Sequence, residues 1–321
     1  MEKHWLQLNK SKKMNKKGFL QISFAWLFAI IVGAMILSLT IYAVTKTIST
    51  QETIIGAKTA NEIGVLLNPL ETGFEVGKTT TIIFPAETRI YNRCNNLSVF
   101  GKQGIQISQK SFDKWTQTDV EVSFENKYIF SEAYAEGKTF YIFSKPLEFP
   151  FKVTDLIYLT SSNKNYCFLN APENIKEELE TLSQGNIFTK DCEDLSNKIN
   201  VCFNYEDCDV QVNYGAQTVE KEGEILHFRT DALMYATIFS DKKIYNCQLQ
   251  RIMKRIKQLS KIYQDKESFI SQRGCNSNLG NDLVQLSNSA NGLIDSANIG
   301  SVWNIAQKIN DNELNSQCRL W

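Results

Sequence analysis

Residues 19–44 read FLQISFAWLFAIIVGAMILSLTIYAV, 26 positions without a charge. As a helix the run rises about 39 Å at about 1.5 Å per residue, more than the roughly 30 Å hydrocarbon core of a bilayer. It is also longer than the apolar stretch of a secretory signal, typically about 7–15 residues. The expectation is a membrane anchor, a transmembrane helix crossing once near the N-terminus. Charge on either side of the run gives the orientation. Residues 1–18 hold six lysines against one glutamate, a net +5, which leaves 29 basic and 34 acidic residues in the rest of the chain. Basic flanks stay in the cytoplasm, so the bulk of the chain is expected on the far side of the cell membrane. A body with net charge −5 argues against nucleic acid as a partner, because phosphate backbones demand a basic footprint.

The cysteines agree with that topology. All eight, Cys94, Cys167, Cys192, Cys202, Cys208, Cys247, Cys275 and Cys318, follow the apolar run. An even number confined to an exported segment reads as a disulfide framework. Eight cysteines allow 105 pairings, and Cys202 with Cys208 is the favoured local bridge. The rival reading is a zinc cluster of Cys192, Cys202, Cys208 and His227. No C-x-x-C pair occurs, and these spacings match no structural-zinc pattern.

The tail before the run ends in Lys16-Lys17-Gly18, followed by Phe19. A basic leader closing in Lys-Gly, then Phe and some twenty apolar residues, resembles the class III signal of type IV pilins and pilin-like proteins. Gln21-Ile22-Ser23 is similar to the Gln-x-Ser element of the archaeal version. The resemblance covers roughly residues 12–67. It implies a membrane peptidase that cuts after Gly18 and leaves Phe19 as the new terminus, with other pilin-like subunits as partners. Many pilins carry glutamate as the fifth mature residue, where it neutralises a neighbouring subunit's terminal amine; here that position is Ser23. The resemblance therefore implies processing and anchoring more than packing as a major filament subunit.

Beyond the anchor the expected fold class is α+β. Loose helical spacing of Ile48, Ile54, Ile55, Ile63, Val65 and Leu66 extends the first helix to about residue 68, with Pro69 and Gly73 marking its end. Residues 69–230 form a β-rich α+β domain and residues 231–321 a helical C-terminal region. Strands are expected at 79–84, stopping at Pro85, and at 88–94, 104–108, 119–124, 139–144, 156–160, 165–170, 199–204, 209–214 and 224–228. Glu136-Gly137 reads as a reversal, SSNK at 161–164 as a hairpin turn, and Pro146 and Pro150 as marks of an edge or crossing loop. Pro172 opens a helix with Ile175, Leu179 and Leu182 on one stripe. Asp231 is the expected N-cap of the next helix.

From Tyr245 to Ser271 the residues Leu249, Ile252, Met253, Ile256, Leu259, Tyr263 and Ile270 keep helical spacing, and Arg251, Lys254, Arg255, Lys257 and Lys261 fall on the other face. Such a basic stripe reads first as a solvated face, and otherwise as a surface for anionic lipid or an acidic partner.

Catalytic signatures are missing. The chain has two histidines, His4 and His227, and no G-x-S-x-G, H-E-x-x-H, P-loop or G-x-G-x-x-G. Glu206-Asp207 lacks the loop of a calcium site. Asn96-Leu97-Ser98 is a glycosylation sequon. No catalytic, cofactor or metal-binding residue is assigned. The reading that results is a single-pass, pilin-like surface protein acting by assembly or binding. The alternatives are a membrane-tethered hydrolase without a recognisable motif, and a metal-dependent module built on the cysteines.

Overall fold

A computed structural model describes residues 24–47, 79–111, 113–204, 208–275, 277–316 and 318–321. The expected leader, the first residues of the apolar run and its extension past Thr47 lie outside these residues. The apolar helix and the body belong to separate compact units. Helix α1 (Phe24–Thr47) is 24 residues long, apolar and without a buried residue, long enough to cross a membrane. Its threonine side chains are satisfied within the helix. The hydroxyls of Thr40, Thr45 and Thr47 donate to carbonyls four residues back. Trp26 lies near one end and Tyr42 near the other, where aromatic side chains favour the bilayer interface.

The body contains two six-stranded sheets. The first comprises β1 (Thr79–Asn95), β2 (Lys102–Ser111), β3 (Lys114–Phe124), β4 (Ile129–Phe130), β5 (Tyr134–Glu148) and β6 (Lys152–Ser161), in the order β3-β2-β1-β5-β6-β4. Its pairs are antiparallel except β4 with β6. Strand β6 is buried on both faces. One face of the sheet, with Phe143, Leu156 and Tyr158, joins the main core; the other, with Ile90, Ile105, Ile107, Ile129, Ile142 and Ile157, forms a second core. Ile105 of β2 and Ile129 of β4 come from opposite parts of the strand order yet share that second core, so the sheet coils around it.

Three expectations for this sheet are corrected. Pro85 does not end a strand: β1 continues through it, and a bulge between Ile83 and Thr88 absorbs the residue that cannot donate. Glu136-Gly137 is not a reversal but lies inside β5, where Gly137 pairs with Thr88 at the end of that bulge. SSNK is not a hairpin turn, because it carries the chain from β6 into the other sheet. Pro146 lies within β5 and pairs with Asp155 on β6, beyond Phe143, the last β5 residue paired with the described part of β1, and Pro150 follows the strand's end at Glu148.

The second sheet comprises β7 (Asn165–Leu169), β8 (Ile187–Phe188), β9 (Lys198–Phe203), β10 (Val210–Asn213), β11 (Thr218–Lys221) and β12 (Glu224–His227), in the order β12-β11-β10-β9-β7-β8. Strands β8, β7, β9 and β10 run parallel, and β10-β11-β12 is an antiparallel meander. Helix α2 (Glu173–Leu182) buries the expected stripe of Ile175, Leu179 and Leu182.

Helix α3 (Asp231–Phe239) is buried from Ala232 to Phe239 and packs against strands of both sheets. A helix apolar on every side needs such surroundings. Its N-cap is Thr230, not Asp231: the Thr230 hydroxyl accepts from Leu233 N–H, and Asp231 is the first helical residue. An extended backbone at Thr230 places that oxygen over the open amides. Phe143, Tyr158, Tyr235 and Phe239 form an aromatic cluster around α3, and the Tyr158 hydroxyl donates to Ala232 O at 2.7 Å. Helices α4 (Lys242–Ser271), α5 (Gly280–Asn291) and α6 (Ile299–Leu314) complete the body and share the main core with both sheets.

The basic stripe on α4 is the largest departure from expectation. Arg251 is fully buried. Its guanidinium donates to the carbonyls of Phe100 (3.2 Å), Lys127 (2.8 Å) and Glu125 (3.0 Å) and to Gln248 Oε1 (2.7 Å), over the face of Tyr128. Burial pulls its pKa down to about 10, against the opposing pull of Tyr128 and Glu125. Arg255 donates to Val153 O at 2.6 Å, and Lys254 to the carbonyls of Asn96 and Ser98. Gln248, one turn before, donates to Ile129 O at 3.1 Å and bonds Gln103. Gln103 Oε1 in turn accepts Ile129 N–H, while Asn92 donates to Ile129 O. These side chains therefore cap the outer edge of β4 where a further strand would otherwise pair. Cys94–Cys247 fastens the same seam covalently.

Gly101 allows the close approach. Its φ is +65°, and a Cβ there would lie 2.7 Å from Arg251 Cγ. Arg251→Met is expected to lower stability in urea by about 3–5 kcal/mol, because buried carbonyls lose their donor. Gly101→Ala is expected to lower it by at least about 1 kcal/mol through strain at positive φ.

Candidate functional site

The structure pairs all eight cysteines: Cys94–Cys247, Cys167–Cys192, Cys202–Cys208 and Cys275–Cys318. The bridge between Cys202 and Cys208 is the local one singled out from their spacing. The zinc grouping has no thiolate to offer, since Cys192, Cys202 and Cys208 are all bridged. His227 holds the edge strand in place: its N–H donates to Ser296 Oγ and its carbonyl accepts the Tyr245 hydroxyl. Burial first, then Arg229, pushes its imidazole pKa down. Among the described residues no three His, Cys, Asp or Glu side chains are grouped to hold a metal. Lys16, Lys17, Gly18, Phe19, Glu206 and Asp207 lie outside the described residues. Asn96 of the sequon donates its amide to Gln250.

The concave site lies where the two sheets meet the C-terminal end of α3. A cleft of about 650 Å³ opens there, bounded by the 132–136 segment leading into β5, the end of β6, the start of β9, Glu222 and the residues around Asp241. Leu159, Tyr166, Phe239 and Ile199 provide apolar surface, and Asn163, Asn197, Thr160 and Ser161 provide amides and hydroxyls.

Four of the charged side chains around the cleft, Glu132, Lys164, Glu136 and Asp241, hold partners. Glu132 pairs with Lys164. Glu136 Oε2 accepts two hydrogen bonds from Arg89, at 3.0 and 2.7 Å, and the guanidinium lies 4.2 Å from the Trp115 ring and 5.0 Å from Tyr134. Asp241 Oδ2 accepts Ala133 N–H at 2.7 Å. Behind Asp241, the Lys221 ammonium donates to the carbonyls of Ile238 and Ser240, closing the C-terminal end of α3. Burial pulls the Lys221 pKa down to about 8, although Asp241, Glu132 and Glu222 oppose it.

Such a lysine beside a cleft is a group to consider for chemistry. Here two of its three donors are spent on carbonyls, so its evident role is to hold the floor. The arrangement is a pre-organised polar surface with an aromatic wall, suited to binding. Its residues come from five separated stretches with no motif between them, which is why sequence reasoning missed it. Comparison with models of known families, with characterised proteins and with solved structures finds no match to this chain.

The folded state holds the Lys221 proton less tightly than the unfolded chain does. The charged lysine therefore costs stability below pH 8, and that cost is relieved as pH rises from 8 toward the ordinary 10.5. Relative to Lys221→Met, the wild-type protein is expected to gain on the order of 1–2 kcal/mol between about pH 8 and 9.5. Parallel urea titrations of the two proteins measure this difference.

Proposed function

We propose that this chain is a single-pass surface protein, held by α1 with its basic N-terminus in the cytoplasm and its body outside, that acts by binding or assembly. One observation carries the reading: an exposed 24-residue apolar helix and a body whose eight cysteines are all bridged occur in one chain. The first suits lipid and the second suits an oxidising compartment. The inter-sheet cleft, whose Glu132, Glu136 and Asp241 already hold partners, supports recognition over turnover. The pilin-like signal around Lys17-Gly18-Phe19 supports export by a pilin-type peptidase, with Phe19 as the mature terminus.

The N-terminal sequence of protein isolated from cell membranes tests the processing. A chain beginning at Phe19 is expected; one still beginning at Met1 makes α1 an uncut anchor. Thiol titration of denatured protein purified without reductant is expected to find no reactive thiol. Eight would overturn the extracytoplasmic placement.

A further inference from the structure

From Lys242 to Gln264 helix α4 carries seven basic residues and no acidic one. Arg251 and Arg255 turn inward to the first sheet, as described above. The neighbouring stripe, Lys243, Cys247, Gln250, Lys254, Lys257 and Lys261, follows an alternating four-and-three spacing and therefore shares one helix face. Lys243 and Lys261 are exposed. Lys254 donates to the carbonyls of Asn96 and Ser98, and Lys257 to Asn291 Oδ1.

Gln250, in the middle of the stripe, accepts from the Asn96 amide and donates to Ile294 O. It thus draws two loops to the sides of one helix turn. Those loops point aliphatic side chains at solvent: Leu97 is 87 % exposed, Val99 65 % and Ile294 71 %. Their neighbour Leu293 is buried, so the 292–295 turn directs one of two adjacent aliphatics outward. The backbone under these tips is firmly held, by Cys94–Cys247 on one side and by the Asp295 side chain capping Ala297 N–H on the other.

We infer that the α4 lysine stripe and the tips Leu97, Val99 and Ile294 form a docking face for an anionic lipid surface. Aliphatic tips flanked by lysines match the two parts of a bilayer interface, acyl chain below and negative headgroup above. The inference rests on the membrane-anchor reading, and the chain length agrees with it. Thirty-one residues lie between Thr47 and Thr79, a tether of at most about 110 Å, so the body stays within reach of the bilayer that holds α1. A second copy is a poorer occupant, because a two-fold contact would set this lysine stripe against itself.

Hydrogen exchange on the full chain in lipid nanodiscs tests the face. Amides 97–100 and 293–295 are expected to exchange several-fold more slowly in phosphatidylglycerol discs than in phosphatidylcholine discs, with the difference fading at high salt. The paired change Leu97→Ser with Ile294→Ser, at exposed positions, is expected to abolish the slowing while the protein still enters discs. Equal exchange in both lipids would overturn the inference and leave the anchor intact. Slowing that appears only with two copies per disc would overturn it in favour of a chain–chain contact. Failure of the full chain to enter discs at all would overturn the anchor reading, and this face with it.

Discussion

Burying the Arg251 guanidinium against backbone carbonyls fixes how the helical and sheet parts of the body fit together. A cation taken out of water is costly unless its donors are matched. Here the match comes from the carbonyls of Phe100, Glu125 and Lys127, from Gln248 and from the Tyr128 ring. All of these but Gln248 lie in loops bordering β2, β3 and β4, so the arginine stays solvated only when that end of the coiled sheet is correctly assembled. Gly101 supplies the space, and Gln103, Asn92 and Gln248 complete the β4 edge. An apolar side chain could fill the same volume but could not satisfy those carbonyls. The contact is therefore one of specificity: it sets the rotation of α4, and with it which basic residues face inward and which face solvent.

The same logic of matched polar groups operates at the other end of the body. Helix α3 is apolar on all sides, and its last carbonyls fall between two sheets. Lys221 meets two of them from β11, and Asp241 turns back to Ala133 at the entrance to β5. The cleft is the space left beside this closure. Its walls are consequently held by both sheets and by α3 together, and a ligand there meets side chains that are already positioned.

Much of the architecture was legible where one physical signal dominated. Ile175, Leu179 and Leu182 have helical spacing and are buried; Leu249, Ile252, Met253 and Ile256 behave likewise. Val122 and Phe124 alternate and share one half-buried face. The signal failed where two effects competed. At Pro85 the missing donor argued for a strand end, but a bulge let β1 bend through it. At SSNK turn-forming residues mark a change of sheet, which local chemistry cannot distinguish from a hairpin. On α4 charge masked position: Ile244, Gln248, Arg251 and Arg255 keep a spacing as regular as the apolar stripe, and only the carbonyls they meet show that this face is internal. The cleft left no trace because its residues converge only after both sheets have formed.

The connectivity of the bridges constrains the order in which the cysteines can be oxidised. Cys167–Cys192 and Cys202–Cys208 are nested inside Cys94–Cys247, and Cys275–Cys318 lies outside all three. In the N-to-C order of synthesis Cys94 appears long before its mate, with four other cysteines in between. Oxidation strictly by order of arrival would join Cys94 to Cys167, a pairing the fold does not use. Cys94 must therefore stay reduced, or be released from a wrong partner, until α4 has emerged. Strand β1 and helix α4, which Cys94–Cys247 joins, are thus the last parts of this three-bridge nest to be locked.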